Sequence, residues 1–65
     1  MRINGKVEDV APATLAALLA SRGIDPALRF LAVAVNGTVV PRRAWPSLTL
    51  DEDDDVEIVR PREGG

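Results

Sequence analysis

The sequence contains no cysteine and no histidine. The missing cysteines exclude disulfides, thiolate nucleophiles and cysteine-ligated zinc, and they are compatible with a reducing compartment. The missing histidines remove the most common general base of enzymes. Chemistry that depends on either residue type is therefore not open to the side chains of this chain.

Positive charge and long apolar runs are also scarce. The chain has eight basic and ten acidic residues, which gives a net charge of −2. It therefore lacks the excess of basic residues that is typical of a nucleic-acid binder. No apolar run approaches the roughly 20 residues of a membrane span, and the first residues lack the apolar stretch of a signal peptide. We expect no nucleic-acid partner, no membrane association and a cytoplasmic location.

The length allows one small domain. A chain of 65 residues buries only about 60% of its unfolded surface, so its core is small and a large enclosed active site is not expected. Its 46% hydrophobic and 28% charged residues are nevertheless typical of globular proteins.

Two Asn-Gly pairs predict β-hairpins, because both residues of a type I′ turn need positive φ. Asn4-Gly5 lies between Ile3 and Val7, and Asn36-Gly37 follows a stretch in which larger apolar residues alternate with alanines. Pro41 cannot donate to a strand ladder, so it is predicted to end the strand or to lie on an edge. The strand residues predicted to lie in the core are Ile3, Val33, Val56 and Ile58.

One helix is predicted between the hairpins. Leu15, Leu18 and Leu19 share one face at helical spacing, which indicates a core-facing stripe rather than a docking face for a partner helix. Pro12 prevents much helix before it, and Thr14 is the predicted N-cap. Gly23 is the predicted stop, with Ile24 packing back on the last turn.

The predicted order is strand, strand, helix, strand, strand, irregular crossing and strand. A lone helix with an apolar stripe has to cover one side of a sheet, which gives an α+β fold with a mixed sheet of four to five strands. Among small folds this order matches the ubiquitin-like β-grasp, in which the first and last strands are central and parallel. We expect residues 1–60 to form this domain and residues 61–65 to form a flexible tail.

The tail ends in two glycines, Gly64 and Gly65. A carboxyl terminus without side chains can enter a narrow channel and offer its α-carboxylate for activation. A chance pair of glycines or a trimmed end is the alternative that this pair alone leaves open.

Three stretches carry a resemblance to a known family. "VNGTVVPRRAW", then "LTLDEDDDVEIV", then the terminal Gly-Gly resemble the ThiS family, the sulfur carriers of thiamine biosynthesis, and "TLAALLASRGI" is similar to the family's helix. Asp53 stands where the family commonly has glycine, in a turn that we expect to need positive φ. Pro61 and Glu63 also depart from the family's tail, which bears on the identity of the partner.

The resemblance implies a defined chemistry for the terminal residue. In the family, an adenylating enzyme of the ThiF type uses ATP and magnesium to convert the terminal carboxylate, here that of Gly65, into an acyl-adenylate. Sulfur from a donor such as a cysteine desulfurase system then replaces AMP. The thiocarboxylate passes to a thiazole synthase of the ThiG type, and Gly64 gives the slim approach to the reacting group.

The resemblance also implies that the chain is a co-substrate and not an enzyme, and that it binds no cofactor itself. The small subunit of molybdopterin synthase, or another thiocarboxylate carrier, would share the same tail. A plain β-grasp interaction module and a ubiquitin-like protein modifier are alternatives of other classes.

Two further features have more than one interpretation. The run "DEDDD" lacks the ligand spacing of an EF-hand, so we expect no metal site there. Two interpretations of the run remain: a solvated turn, or a docking surface for basic residues of a partner. Trp45 is interpreted as a half-buried lid on the core or as an interface anchor. Because tryptophan and arginine are enriched in binding hot spots, Arg42, Arg43 and Trp45 are the candidate docking residues.

Overall fold

A computed structural model describes residues 1–10 and 13–60 of the chain. The elements, in chain order, are β1 (Arg2–Ile3), β2 (Lys6–Val7), α1 (Leu15–Ser21), β3 (Ala32–Val35), β4 (Thr38–Val39), a short 3-10 helix (Arg42–Ala44) and β5 (Asp55–Val59). This is the predicted order. The interpretations that concern Pro12 and residues 61–65 lie outside the described residues.

The five strands form one sheet in the order β2-β1-β5-β3-β4. The first and last strands, β1 and β5, pair in parallel, whereas β3 pairs antiparallel with both β4 and β5. The predicted central, parallel pairing is confirmed. The sheet is therefore mixed, with helix α1 on one face, and the β-grasp assignment is correct.

Both Asn-Gly turns adopt the predicted conformation. The φ angles are 53° at Asn4 and 81° at Gly5, and 52° at Asn36 and 83° at Gly37. Consecutive positive φ values are the requirement of the type I′ turn that joins two twisted strands. Strand β4 ends at Val39, one residue earlier than the sequence suggests, although the Val40 N–H still donates to the carbonyl of Val33 at 2.9 Å.

Helix α1 begins and ends where its capping residues predict. The Thr14 hydroxyl accepts the N–H of Ala17 at 3.1 Å, as an N-cap does. At the other end Gly23 has a φ of 71°, and the N–H of Ile24 donates to the carbonyl of Leu19 at 3.0 Å. That pattern is a Schellman motif, which satisfies carbonyls that the short helix leaves free.

The core lies between the helix and one face of the sheet. The leucine stripe packs with apolar side chains of the three inner strands, with Trp45 and with loop residues. The buried apolar residues are Ile3, Leu15, Leu18, Leu19, Ile24, Leu31, Val33, Trp45, Leu50, Val56 and Ile58. The predicted core is confirmed, including the return of Ile24 to the helix.

The acidic turn before β5 differs from its prediction. Asp53 is not among the described residues with positive φ, so the expected left-handed residue in this turn is wrong. The turn closes instead with a bond from the Asp54 N–H to the Asp51 carbonyl at 3.0 Å, and the Asp54 carboxylate accepts the Asp51 N–H at 2.8 Å. A turn closed in this way does not require a glycine.

Candidate functional site

The candidate site is the end of the sheet at which β5 finishes. This central strand runs from Asp55 to Val59 and is followed by Arg60, the last described residue before the predicted tail. Gly64 and Gly65, the residues predicted to carry the chemistry, lie outside the described residues. We call the sheet end next to Arg60 the exit end.

The topology brings several segments to the exit end. Strand β1 runs parallel to β5, so the Asn4-Gly5 turn lies there. Strand β3 begins there, because Ala32 pairs with Val59. Strand β4 runs antiparallel to β3, so the chain leaves it toward the same end and enters the 3-10 helix at Arg42. The predicted docking segment and the start of the tail therefore lie at one end of the domain.

One face of the sheet is open and partly apolar. Paired residues of neighbouring strands point to the same side, so the pairing of Ala32 with Val59 and of Ala34 with Val39 places these four residues on the face opposite the helix. Val59 is 60% exposed. An apolar part of the open face thus reaches the exit end.

Charge is distributed unevenly along β5. The acidic run begins at Asp51 and ends at Asp55, where the strand starts, and the exposed Glu57 lies within the strand. Arg60 follows the end of the strand. Three more arginines lie at the exit end: Arg29 in the loop before β3, and Arg42 and Arg43 in the 3-10 helix. That loop also contains one acidic residue, Asp25. A chain with a net charge of −2 therefore presents a basic exit end.

The acidic run has a structural role in the turn. The Asn36 amide donates to the Asp54 carboxylate at 2.9 Å, and its carbonyl accepts the N–H of Asp55 at 2.9 Å. The second hairpin is thereby joined to the start of β5, which supports the interpretation as a turn. Within residues 1–10 and 13–60, no three carboxylates are grouped so that they could hold a metal ion.

Arg42 connects two segments of the domain. Its guanidinium donates to the carbonyl of Pro26 and, at 3.0 Å, to the carbonyl of Leu28, and it lies over the Trp45 ring at 5.0 Å from the centroid. These contacts tie the loop before β3 to the 3-10 helix. This role of Arg42 could not be predicted from the sequence, because it depends on where the loop lies in space.

Trp45 belongs to the core. Its side chain is 2% exposed, and its Nε1 donates to the carbonyl of Val40 at 2.9 Å. It is thus buried more deeply than the half-buried lid that the sequence suggested, and its indole leaves almost no surface for a partner. Arg43 differs from the other two predicted docking residues. Its side chain is exposed and forms no hydrogen bond with the described residues.

Phe30 is a residue of the exit end that the sequence analysis did not single out. It is 78% exposed, has a φ of 64° and lies two positions before Ala32, the partner of Val59. The guanidinium carbon of Arg29 is 5.4 Å from its ring centroid. The available signal was a lone aromatic residue between a polar loop and an alternating strand.

An ion pair lies away from these residues, between Glu8 and Arg22. The two guanidinium nitrogens donate to the two carboxylate oxygens at 2.9 and 3.0 Å. This hydrogen bonding lowers the pKa of Glu8 and raises the pKa of Arg22. The pair joins the segment after β2 to the end of α1 and takes no part in the candidate site.

No helix within the described residues has the length and apolar character needed to cross a membrane.

Comparison with known proteins gives the family. The model of the ThiS family matches residues 1–65. The crystal structure of the thiamine biosynthesis protein ThiS from Geobacter metallireducens is similar, with 28% identity, a TM-score of 0.73 and coverage of 98% of this chain and 96% of that chain. An NMR structure of a thiamine biosynthesis protein from the same organism gives 28% identity and a TM-score of 0.79, over 98% of this chain and 85% of that chain. No curated protein matches the sequence. With its whole length matched, the chain belongs to the ThiS family.

Proposed function

We propose that this chain is a sulfur carrier of thiamine biosynthesis and that the α-carboxylate of Gly65 is its reacting group. Membership of the ThiS family supports the carrier role. The observation that carries the proposal is that a member of this family ends in Gly64-Gly65. This pair follows the central strand β5 in the chain. Residues 1–60 would then be the recognition domain and residues 61–65 the tail that reaches the partner.

The proposed chemistry has two steps. A carboxylate oxygen of Gly65 attacks the α-phosphorus of ATP and pyrophosphate leaves, which gives an acyl-adenylate. Sulfur then attacks the acyl carbon and AMP leaves. Hydrosulfide gives the thiocarboxylate directly, whereas a persulfide on the donor gives an acyl disulfide that a thiol reductant cleaves to the thiocarboxylate. Adenylation is needed because a free carboxylate is a poor electrophile. ATP and magnesium belong to the activating partner.

The composition of the chain suits a co-substrate. It has neither histidine nor cysteine, so the usual base and thiolate have to come from partners. What the folded domain contributes is recognition. Docking of a rigid domain holds the tail in the partner's site and raises its effective concentration there.

The proposed partners are three. An adenylating enzyme of the ThiF type would activate Gly65, a donor such as a cysteine desulfurase system would supply sulfur, and a thiazole synthase of the ThiG type would accept it. Family membership supports the first and third in general terms. We place their contacts at the exit end, where the exposed Arg43 is a candidate docking residue.

The family match favours this proposal over other thiocarboxylate carriers. The small subunit of molybdopterin synthase would share the tail chemistry, but the ThiS model matches the whole chain. A ubiquitin-like modifier would instead form amide adducts with lysines of other proteins. Detection of such adducts in cells would favour the modifier.

The test is an intact-mass measurement. The chain is incubated with ATP, magnesium, its cognate adenylating enzyme and a sulfur donor, and its mass should rise by the difference between one sulfur and one oxygen atom. Fragmentation should place the change at Gly65. An unchanged mass with an enzyme that activates its own established carrier would contradict the proposal.

The matched control is the chain without Gly65. Its terminal carboxylate is drawn back by up to about 3.3–3.6 Å, and a misplacement of about 1 Å can cost roughly 100-fold in rate. We therefore expect no sulfur incorporation. Its thermal melt should equal that of the parent chain.

A further inference from the structure

Phe30 has an unusual combination of properties for an exposed residue. With 78% exposure it is the most exposed of the large apolar side chains among the described residues. Its φ of 64° lies in the left-handed region, which bulky residues rarely adopt. The other two described non-glycine residues with positive φ are Asn4 and Asn36, which are residues of a type that tolerates this conformation.

Neither property helps the fold of the isolated chain. An exposed aromatic ring adds little hydrophobic stabilisation to the fold, and a left-handed conformation is unfavourable for a residue other than glycine. Strained residues of this kind occur preferentially at functional sites. The combination of a strained backbone and an exposed ring at Phe30 therefore indicates that the ring binds another molecule.

The location of Phe30 limits what that interaction can be. Ala32, two residues later, pairs with Val59 at the end of β5. Gly65 is the fifth residue after Arg60, and five residues span at most about 18 Å. Any enzyme that acts on the carboxylate of Gly65 therefore has to approach the exit end, where Phe30 and Val59 are exposed.

Charge at the exit end indicates what the partner surface carries. Arg29 lies over the Phe30 ring, and Arg60 follows Val59. A cation near the face of an aromatic ring is attracted to it, so this charge and the ring would meet the partner together. A complementary partner surface would have an apolar pocket with acidic residues at its rim, since interfaces combine a buried apolar centre with a polar rim.

We propose that Phe30 is the anchor by which this carrier docks into an apolar, acid-rimmed pocket of the enzyme that adenylates it. This inference rests on the proposed function and assigns its recognition residue. Val59 extends the contact along the open face, and Arg29 and Arg60 pair with the rim. The positive φ sets Phe30 at the exit end, where the ring enters the partner as the tail enters the active site.

The test is a set of Phe30 variants assayed with the cognate adenylating enzyme. Initial rates of pyrophosphate release are measured against carrier concentration. Phe30→Gly and Phe30→Asn both suit the backbone but lack the ring, so we expect the half-saturating concentration to rise about tenfold or more while turnover at saturation persists. Phe30→Tyr keeps the ring and should stay close to the parent chain.

The matched control is Val7→Ala. Val7 is 73% exposed, but it lies on the edge strand β2 and pairs with Arg2, away from the exit end. This substitution should leave the half-saturating concentration unchanged. Thermal melts complete the set, because Phe30→Gly should melt at the same temperature or higher, whereas a residue with a structural role should lower it.

Three outcomes would contradict the inference. If the parent chain is activated and Phe30→Gly has the same half-saturating concentration, Phe30 is not the anchor although the proposed function stands. If sedimentation shows a dimer of the parent chain that Phe30→Gly dissolves without a change in activation, a second copy covers the ring. If the parent chain is never activated, the proposed function fails and this partner fails with it.

Discussion

The side-chain carbonyl of Asn4 accepts a hydrogen bond from the backbone N–H of Ile58 at 2.7 Å. The backbone N–H of Asn4 donates to the carbonyl of Val56 at 2.9 Å, so this residue continues the parallel pairing of β1 and β5 beyond the last paired residue of β1. At the same time its φ of 53° forms the first hairpin turn. One residue therefore serves the turn and the central pair of strands.

Substitutions at Asn4 should separate these two roles. Asn4→Gly keeps the positive φ but leaves the N–H of Ile58 without its acceptor, and we expect a loss of about 0.5–1.5 kcal/mol in the free energy of unfolding. Asn4→Ala adds strain of about 1–2 kcal/mol. Urea denaturation should rank the parent chain above Asn4→Gly and Asn4→Ala last; equal midpoints for all three would disprove the double role.

Leu18 tests the layering of helix on sheet. Its side chain is 0% exposed, and truncation of a fully buried leucine to alanine costs about 2–5 kcal/mol. Small domains have only about 0.05–0.15 kcal/mol of stability per residue. Leu18→Ala should therefore be largely unfolded by circular dichroism, whereas Ala20→Lys on the exposed side of α1 should change stability by no more than about 0.5 kcal/mol.

Arg42 should matter for stability. Arg42→Ala removes two hydrogen bonds to loop carbonyls and the contact with Trp45, and we expect a loss of about 1–2 kcal/mol, at the lower end because the side chain is exposed. Arg43→Ala, one residue away, should be neutral within about 0.5 kcal/mol. Thermal or urea unfolding measures both. Equal destabilisation by the two variants would contradict the assigned contacts.

Arg43 should matter for docking. Arg43→Glu reverses an exposed charge at the exit end, and we expect it to raise the half-saturating carrier concentration in adenylation and to change its salt dependence. Turnover at saturation should persist, because the tail is untouched. A half-saturating concentration equal to that of the parent chain at low and high salt would remove Arg43 from the docking surface.

The ion pair of Glu8 and Arg22 predicts a pH dependence. Hydrogen bonding lowers the pKa of Glu8 in the folded state, so the stabilisation is complete above the ordinary glutamate value of about 4.3. It is lost as the pH falls through the lowered pKa. The difference in Tm between the parent chain and Glu8→Gln should be constant at neutral pH and shrink in acid. Asp9→Asn is the matched control, and a difference that grows in acid would contradict the assignment.

Local chemistry explains which parts of this fold could be predicted. The two Asn-Gly turns, the Thr14 N-cap and the Gly23 stop each depend on a residue and its immediate neighbours, and all were predicted correctly. The leucine stripe gave the helix face in the same way. The family resemblance supplied the prediction that Gly65 is the reacting residue, and that residue lies outside the described residues.

Contacts between distant segments could not be predicted in this way. The bonds of Arg42 to the loop carbonyls depend on the folded position of that loop. The positive φ of Phe30 opposes its own preference, so no local rule indicates it. Asp53 was wrongly expected to have positive φ because the sequence did not show that Asp51 and Asp54 close the turn between them.

The central pairing of β1 with β5 has a consequence for how the chain folds. Ile3 pairs with Val56, across almost the whole chain, while the two hairpins can form from local contacts. Strand β5 has to insert between β1 and β3, and non-local pairing of this kind slows folding. A nascent or truncated chain without β5 would expose two unpaired strand edges that invite aggregation. Native structure and the start of the tail are thus acquired in the same late event, so that a chain able to present its terminal carboxylate is also a chain that has finished folding.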